Sequence, residues 1–280
     1  MTDEHAMADG YKTRKVRYEK IHNVSDADFD ALAAALEMRD EQVIGDFCSG
    51  YGAVTREMLS RTEREGINVS FVLADCCPDQ LERSYAELPN KAVSRMIADV
   101  RDLPFRDNYF DRIVIKMGLH EMPFVEQQKA VNEVYRVLKP AGIFALWNVL
   151  ATDETEQSLF AAIIREKDRL AGFDSLARDR YLQREDQVRS LLKNAGFDNV
   201  ERVWDINYNL STYKRLDAEF GGDRSCLESW NNFIRNHFPE HLRQRFSYVD
   251  VNGDIMMQFK QGIIRCVKPL PYSQNERRNS

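Results

Sequence analysis

The sequence predicts an α/β domain: a mostly parallel, seven-stranded sheet with helices on both faces, an N-terminal helical segment and a helical cap insertion. Three observations predict it. From about residue 40 to 150, short apolar runs alternate with amphipathic stretches at helical spacing. The connections between them are short, which implies right-handed βαβ crossovers and a parallel sheet covered on both faces. Beyond residue 150 the alternation gives way to longer helices and an aromatic-rich stretch ahead of one last strand.

Ser25-Asp26-Ala27-Asp28 resembles a capping box, and Phe29, Leu32 and Leu36 follow at helical spacing. Gln42 to Asp46 reads as a buried strand ending in the turn Phe47-Cys48-Ser49-Gly50-Tyr51-Gly52, with a helix carrying Val54, Met58 and Leu59 behind it. The second strand is Val69 to Ala74, closed by Asp75, and a helix from Gln80 to Leu88 stops at Pro89-Asn90. Strands three and four are Val93 to Ile97 and Phe110 to Ile115. A helix from about Val125 to Leu138 ends at Lys139-Pro140-Ala141-Gly142, before the fifth strand, Ile143 to Val149. Helices follow over Thr155 to Leu170 and Glu185 to Asn194, the second closed by Ala195-Gly196-Phe197. A strand near Val200 to Ile206 precedes the helical, aromatic-rich stretch Ser211 to Phe246, and Asp254 to Val267 is the last strand, with Gly262 expected as a bulge. The expected divisions are a helical lid (1–40), a binding core (41–206), a cap (207–250), the strand completing the sheet (251–270) and a disordered tail (271–280).

Composition excludes several classes. Of 280 residues, 43% are hydrophobic and 30% charged, an ordinary globular balance. Apolar stretches such as Ile113 to Ile115 and Ile143 to Trp147 are too short to span a bilayer. The start, Met1-Thr2-Asp3-Glu4-His5, has no apolar signal core, so the expectation is a cytoplasmic protein without a membrane partner. Five cysteines (Cys48, Cys76, Cys77, Cys226, Cys266) form no C-x-x-C pair and no zinc spacing, so reduced thiols are expected. A net charge of −6 gives no broad attraction to phosphates, and no nucleic-acid partner is expected. The run Lys12, Arg14, Lys15, Arg17, Lys20 reads as a solvated helix face.

The glycine turn stands between strand and helix, where backbone passes close to a ligand and a helix N-terminus offers unpaired N–H groups. No Gly-Lys-Ser/Thr follows, which argues against a nucleotide-triphosphate loop, and the spacing is not G-x-G-x-x-G. Asp46, Asp75 and Asp99 each follow an apolar strand. Asp75 is placed like an acid that takes a ribose hydroxyl pair, and Asp99-Val100 like an adenine-binding segment.

These residues carry a resemblance. Val43 to Gly52 resembles the first motif of class I S-adenosylmethionine-dependent methyltransferases, Val72 to Leu81 their ribose-binding segment and Ala98 to Phe105 their adenine segment. Phe110 to Glu121 is similar to their fourth motif, and Leu138 to Gly142 to the turn before their fifth strand. The resemblance covers roughly residues 40 to 150 and implies a Rossmann-like fold, S-adenosyl-L-methionine as cofactor and transfer to a small-molecule acceptor. It implies that Asp46 and the backbone of Cys48, Ser49 and Gly50 hold the methionyl end. Asp75 and Cys76 would lie at the ribose, Asp99 and Val100 at the adenine, and Lys116 beside the sulfonium through its backbone. Cys48 departs from the family pattern, which has glycine there.

Transfer from a sulfonium needs alignment more than acid–base help. His120 and Glu121, just after the fourth strand, are the candidate catalytic pair, with structural packing the competing role for His120. Tyr11 and Tyr18 could close over the cofactor. The aromatics Tyr208, Tyr213, Phe220, Trp230, Phe233, Phe238, Phe246 and Tyr248 suggest a cap that forms an apolar acceptor site. His237-Phe238-Pro239-Glu240-His241 fits a zinc-peptidase pattern, but Pro239 reads as the first residue of a helix and no third ligand is evident, so no metal is expected. The competing functions are other chemistry at the same sulfonium, releasing methylthioadenosine, and a catalytically silent binding subunit. A monomer or homodimer is expected.

Overall fold

Ser25 is the N-cap of a helix. Its hydroxyl accepts from the Asp28 N–H at 3.3 Å while the Asp28 carboxylate accepts from the Ser25 N–H at 2.9 Å, a reciprocal cap that stabilises α1 (Asp26–Leu36) by ~1 kcal/mol. The computed structural model describes residue 21, residues 24–88 and residues 92–271. Tyr11, Tyr18, the basic run, the stop at Pro89-Asn90 and the polar tail from Tyr272 lie outside the described residues.

From α1 the chain runs β1 (Gln42–Phe47), α2 (Ala53–Glu65), β2 (Val69–Asp75), α3 (Pro78–Glu87), β3 (Val93–Ile97), β4 (Phe110–Lys116), α4 (Phe124–Val137) and β5 (Leu138–Val149). It continues through α5 (Glu154–Leu170), α6 (Asp174–Asp179), α7 (Glu185–Asn194), β6 (Asp198–Ser211), α8 (Leu216–Glu219), α9 (Arg224–His237), β7 (Val249–Val251) and β8 (Asp254–Val267). The sheet order is β3-β2-β1-β4-β5-β8-β6; β3 through β5 are parallel, and β8 enters antiparallel between β5 and β6.

Period-two alternation splits each central strand between two cores. Val72 and Ala74 of β2 and Phe144 and Leu146 of β5 face α4 and α7, where Val131, Val134, Leu191 and Leu192 are buried. Phe71, Leu73, Ala145 and Trp147 face α1, α2 and α3 with Phe29, Leu32, Met58 and Leu81. Each fully buried side chain of this size contributes ~1.5–3 kcal/mol. The described part of the expected lid, α1, is thus one of three helices closing a face of the sheet; the Phe29 and Trp147 rings are 5.5 Å apart.

A third core holds the cap. β6 and β8 continue past the last residue of β5, Val149, and their far halves pack Tyr208, Leu210, Met257 and Phe259 against Phe160 and Ile163 of α5 and Trp230 and Ile234 of α9. The expected helical stretch 211–246 is broken: a 3-10 turn at Tyr213–Arg215, then α8, α9 and a second 3-10 turn at Glu240–Leu242.

Some boundaries differ from the sequence reading. β5 starts at Leu138, because Lys139 to Gly142 form a bulge within it rather than a turn ahead of it; Ala141 has φ +60° and the register slips opposite Asp111. β6 is longer than expected, and the short β7 pairs with β8 as an additional strand. Gly262 keeps register with both neighbours, and the irregularities lie on β6, between Asp198 and Glu201 and between Arg202 and Trp204. A Cβ at Gly262 would meet Arg202 Nε at 2.8 Å, so close approach explains that glycine. Among the described residues, no helix is long and apolar enough to cross a membrane.

Candidate active site

The strand order reverses between β1 and β4, and in open α/β sheets ligands bind outside the carboxyl ends of the strands at such a switch point. A cleft opens there, enclosing about 1620 Å³ with its mouth included, and runs on beneath the cap. Asp46, Cys48, Ser49, Gly50, Asp75, Cys76, Asp99, Val100, Lys116, His120 and Glu121 all line it. Tyr11 and Tyr18 are the candidates outside the described residues.

Asp46, the penultimate residue of β1, is buried, with Oδ2 accepting from the Thr55 hydroxyl at 2.7 Å and the Thr55 N–H at 3.2 Å in the first turn of α2. Burial pushes its carboxyl up to about 7, against the lowering pull of the Thr55 hydrogen bonds; the nearby Asp75 raises it further and Lys116 lowers it. Asp75 accepts from the Gly50 N–H at 2.7 Å and the Cys77 N–H at 2.8 Å, one on each oxygen. Burial raises its pKa, those two backbone donors oppose the rise, and Glu121 adds to it. Asp75 thereby fixes the glycine turn. Each of its oxygens keeps a second lone pair for a ligand hydroxyl.

Asp99 is held from the side by Arg101, whose Nε donates to both carboxylate oxygens at 2.9 Å. Burial alone would raise the Asp99 carboxyl, but the Arg101 hydrogen bonds and charge outweigh it and leave the pKa lowered. Arg101, which the sequence reading did not include, thus lines the cleft beside Asp99. The Lys116 ammonium lies 4.9 Å from the centroid of the Trp147 ring.

Cys48 adopts φ +54°, a conformation glycine accepts without cost and other L-residues adopt at some expense. Its side chain fills the space over Gly118: a Cβ there would meet Cys48 Cβ at 2.3 Å and Sγ at 2.7 Å. The departure at position 48 is thus matched by a glycine opposite. Burial, with Asp75, Cys76, Asp99 and Glu121 nearby, holds the Cys48 thiol well above its ordinary pKa, so it stays protonated and poorly nucleophilic. Burial likewise pushes Cys76 up to about 12.

Two features fit a polar ligand at the turn. The Ser49 hydroxyl is buried without a hydrogen-bond partner among the described residues, and a Cβ built on Gly50 would meet nothing within 4 Å. An unsatisfied buried hydroxyl beside open space is what a carboxylate- or amine-bearing ligand would complete.

His120 is buried at the end of β4, in the 3-10 turn Leu119–Glu121. Its tautomer follows from a chain of amides. Gln127 Nε2 donates to the carbonyls of Met122 and Tyr181, so its Oε1 accepts from Gln183 Nε2 at 2.6 Å. Gln183 Oε1 accepts from Asn148 Nδ2, which leaves Asn148 Oδ1 to accept from His120 Nδ1–H at 2.7 Å. Nε2 lies 3.2 Å from Glu121 Oε1.

From Glu121 a chain of buried charges leads under the cap. Arg180 donates to Glu121 at 2.9 Å and lies 3.4 Å from Asp168, which accepts from Lys167 at 2.7 Å. Lys167 also donates to Glu219, Arg215 donates to the other Glu219 oxygen, and a second Arg215 nitrogen donates to the Tyr208 hydroxyl. The cap side of the cleft, where an apolar acceptor site was expected, is lined by Val149, Phe160, Ile164 and Leu182 together with Lys167, Arg180, Arg215 and Glu219. Sequence reasoning missed these residues, although one signal existed. Lys167 follows Phe160 and Ile164 at i+7 and i+3, a charge set in the apolar stripe of α5. Of the expected cap aromatics, Tyr208 reaches the cleft. Trp230 is fully buried in the cap core, donating to the Ile163 carbonyl at 2.8 Å, and Phe233 stacks on His237; neither lines the cleft. His237 ends α9 and His241 sits in the separate 3-10 turn after Pro239, so the two histidines do not share a helix.

Residues 46–146 match the family described as "Methyltransferase domain". The chain is similar to the ubiquinone/menaquinone biosynthesis C-methyltransferase of Rickettsia prowazekii, at 31% identity over 103 residues, 35% of this chain and 41% of that protein. The chain thus spans less than half the length of that relative. Its counterpart of the same name in Yersinia enterocolitica is 30% identical over 179 residues, 58% of this chain and 69% of that protein. The crystal structure of the YcgJ protein of Bacillus subtilis shares the fold, with a TM-score of 0.71 at 19% identity, covering 88% of this chain and 100% of that one. With the motifs in order, the strand order reversing at the cleft and a curated relative covered over two thirds of its length, the chain belongs to the class I S-adenosylmethionine-dependent methyltransferase family.

Proposed function

We propose that this protein transfers the methyl group of S-adenosylmethionine to a small-molecule acceptor seated between the sheet and the cap. The observation that carries this is the single cleft in which the glycine turn, Asp75, Asp99 and His120 meet and which continues to residues of α5, β6 and α8. Bound S-adenosylmethionine supplies a methyl group already activated on a sulfonium. The chain's own residues hold and align: the Ser49 hydroxyl and the turn backbone at the methionyl end, with Asp46 behind them, Asp75 at the ribose, and Asp99 with Val100 at the adenine. The cap keeps water from the acceptor end, and alignment of this kind lowers a barrier by as much as ~7–11 kcal/mol. Where the acceptor must lose a proton, His120 Nε2 receives it, its ring fixed through Nδ1 by Asn148 and its charge stabilised by Glu121. In this reading residues 41–206 bind the cofactor and 207–250 choose the acceptor.

Product analysis with a mixed small-molecule extract and methyl-labelled S-adenosylmethionine tests it. S-adenosylhomocysteine with label in a new product is expected; methylthioadenosine in its place would refute methyl transfer. Asp75→Ala is expected to weaken S-adenosylhomocysteine binding more than tenfold, through loss of charge-assisted hydrogen bonds worth ~1.5–3 kcal/mol. An unchanged calorimetric Kd would remove Asp75 from the site.

A further inference from the structure

Three fully buried carboxamides, Gln127, Asn148 and Gln183, stand behind His120, and none of them lines the cleft. They come from α4, from β5 and from the irregular segment between α6 and α7, and each of their amide nitrogens and oxygens has a partner. Apolar side chains of the same shape would fill this space with little loss of stability, because a buried bond between neutral groups gains little over what water offers. What a satisfied polar chain adds is a fixed orientation.

That orientation is set at the far end. Gln127 Nε2 donates to the carbonyls of Met122 at 3.1 Å and Tyr181 at 3.0 Å, and a carbonyl cannot donate, so this amide cannot turn over. The segment carrying Gln183 is tied down by its backbone: the Tyr181 N–H donates to the His120 carbonyl and the Ala151 N–H to the Gln183 carbonyl, both at 3.0 Å. A competing pull acts on the ring from its other side. Glu121 Oε1 lies 3.2 Å from His120 Nε2, and a carboxylate there favours a proton on Nε2. A neutral ring with that proton would set bare Nδ1 against Asn148 Oδ1 at 2.7 Å, two acceptors in contact. Turning Asn148 over would set its oxygen against Gln183 Oε1, and turning Gln183 over would set its oxygen against Gln127 Oε1. Each escape moves the same conflict one amide back, to the one that cannot turn.

We infer that Gln183, anchored by Gln127, is a positioning residue for His120: through Asn148 it holds the proton of the neutral ring on Nδ1 against Glu121 and keeps Nε2 bare. Its bearing on the reaction rests on the reading of His120 as proton acceptor above, whereas the tautomer itself needs neither acceptor nor turnover. Neither glutamine lines the cleft, so both act only through the ring.

NMR on protein labelled at its histidine ring nitrogens tests it, since bare and protonated nitrogens resonate far apart and long-range couplings tell Nδ1 from Nε2. The chain has five histidines, and the signals lost in His120→Gln assign the ring. In mildly alkaline solution the wild type should show Nδ1–H and bare Nε2. Gln183→Met keeps the volume, removes the amide and frees Asn148 to turn, so the proton should move to Nε2 in at least half of the molecules. Gln183→Glu still offers Asn148 an oxygen, and Nδ1–H should persist. Both variants should keep wild-type S-adenosylhomocysteine affinity by calorimetry. A wild-type proton on Nε2, a ring still doubly protonated in that solution, a Gln183→Met ring that keeps Nδ1–H, or a Gln183→Glu ring that loses it would each overturn the assignment. Should Gln183→Met fail to fold, Gln127→Met, which removes only the anchor, is read in the same way. A tautomer that responds as expected in Gln183→Met while turnover of a proton-bearing acceptor is unchanged would instead remove His120 as the base and leave the amide relay standing.

Discussion

Asp46 combines burial with a carboxyl raised to about 7, and the sign of that shift has two consequences. The unfolded carboxyl titrates near ~3.9. The folded protein therefore holds a proton that the unfolded chain has released, and the stability this gives is full below about pH 4 and lost as pH rises through about 7. A cationic amine bound at Asp46 requires the ionised form, so S-adenosylhomocysteine affinity should rise about tenfold from pH 6 to pH 8, as the ionised fraction goes from about one tenth to about nine tenths. Calorimetry across that range on wild type and Asp46→Asn checks it; an equally steep rise in the variant would show that another group titrates. Cys48 and Gly118 make a second pair. Gly118→Ala alone should cost ~1–3 kcal/mol by overpacking, and most of that should return in the Cys48→Gly background, where the opposing side chain is gone. Additive effects in a denaturation cycle would refute the contact. At this scale the sequence was most legible where a residue's place follows from the strand before it: Asp46, Asp75 and Asp99 all reach the cleft. It was least legible where partners are distant in the chain. Glu121 and Arg180 are 59 residues apart and Lys167 and Glu219 are 52, and no local period brings them together.

Among the elements, α9 separates two roles that aromatic composition alone leaves merged. Its buried face, Leu227, Trp230 and Ile234, packs into the cap core, with the Phe220 ring edge-on to Trp230 at 5.9 Å. The cap's contribution to the cleft comes instead from Tyr208 at the far end of β6 and from Arg215 and Glu219 around α8. Trp230→Ala should therefore act as a core truncation, destabilising by ~3–5 kcal/mol while folded molecules keep wild-type S-adenosylhomocysteine affinity. Thermal midpoints and calorimetric Kd on the same preparations check this. A normal midpoint with lost turnover would return Trp230 to the acceptor site. The strands and most helices were readable because each shows one clean period. The broken stretch 211–246 was not, because two 3-10 turns and two helices of unequal length share one aromatic-rich composition.

For the molecule as a whole, β6 and β8 tie the cap to the sheet, because each runs through both. A cap with its own core could melt by itself, but these strands carry its loss directly into the sheet edge. Calorimetry should show one unfolding transition in wild type and, at a lower temperature, one in Trp230→Ala; two resolved transitions would mean that cap and sheet are separable. The position of β8 also bears on how the chain is made. β6 has β8 as its sheet neighbour, and β8 is the last of the described strands in chain order. While the ribosome is still translating the cap, β6 and the outer edge of β5 both lack their common neighbour β8, whereas β1 through β4, glycine turn included, already have their partners. The nascent chain can thus form the half that carries the glycine turn first and waits with an open edge for Asp254–Val267, the interval in which a neighbouring chain's strand could take that place.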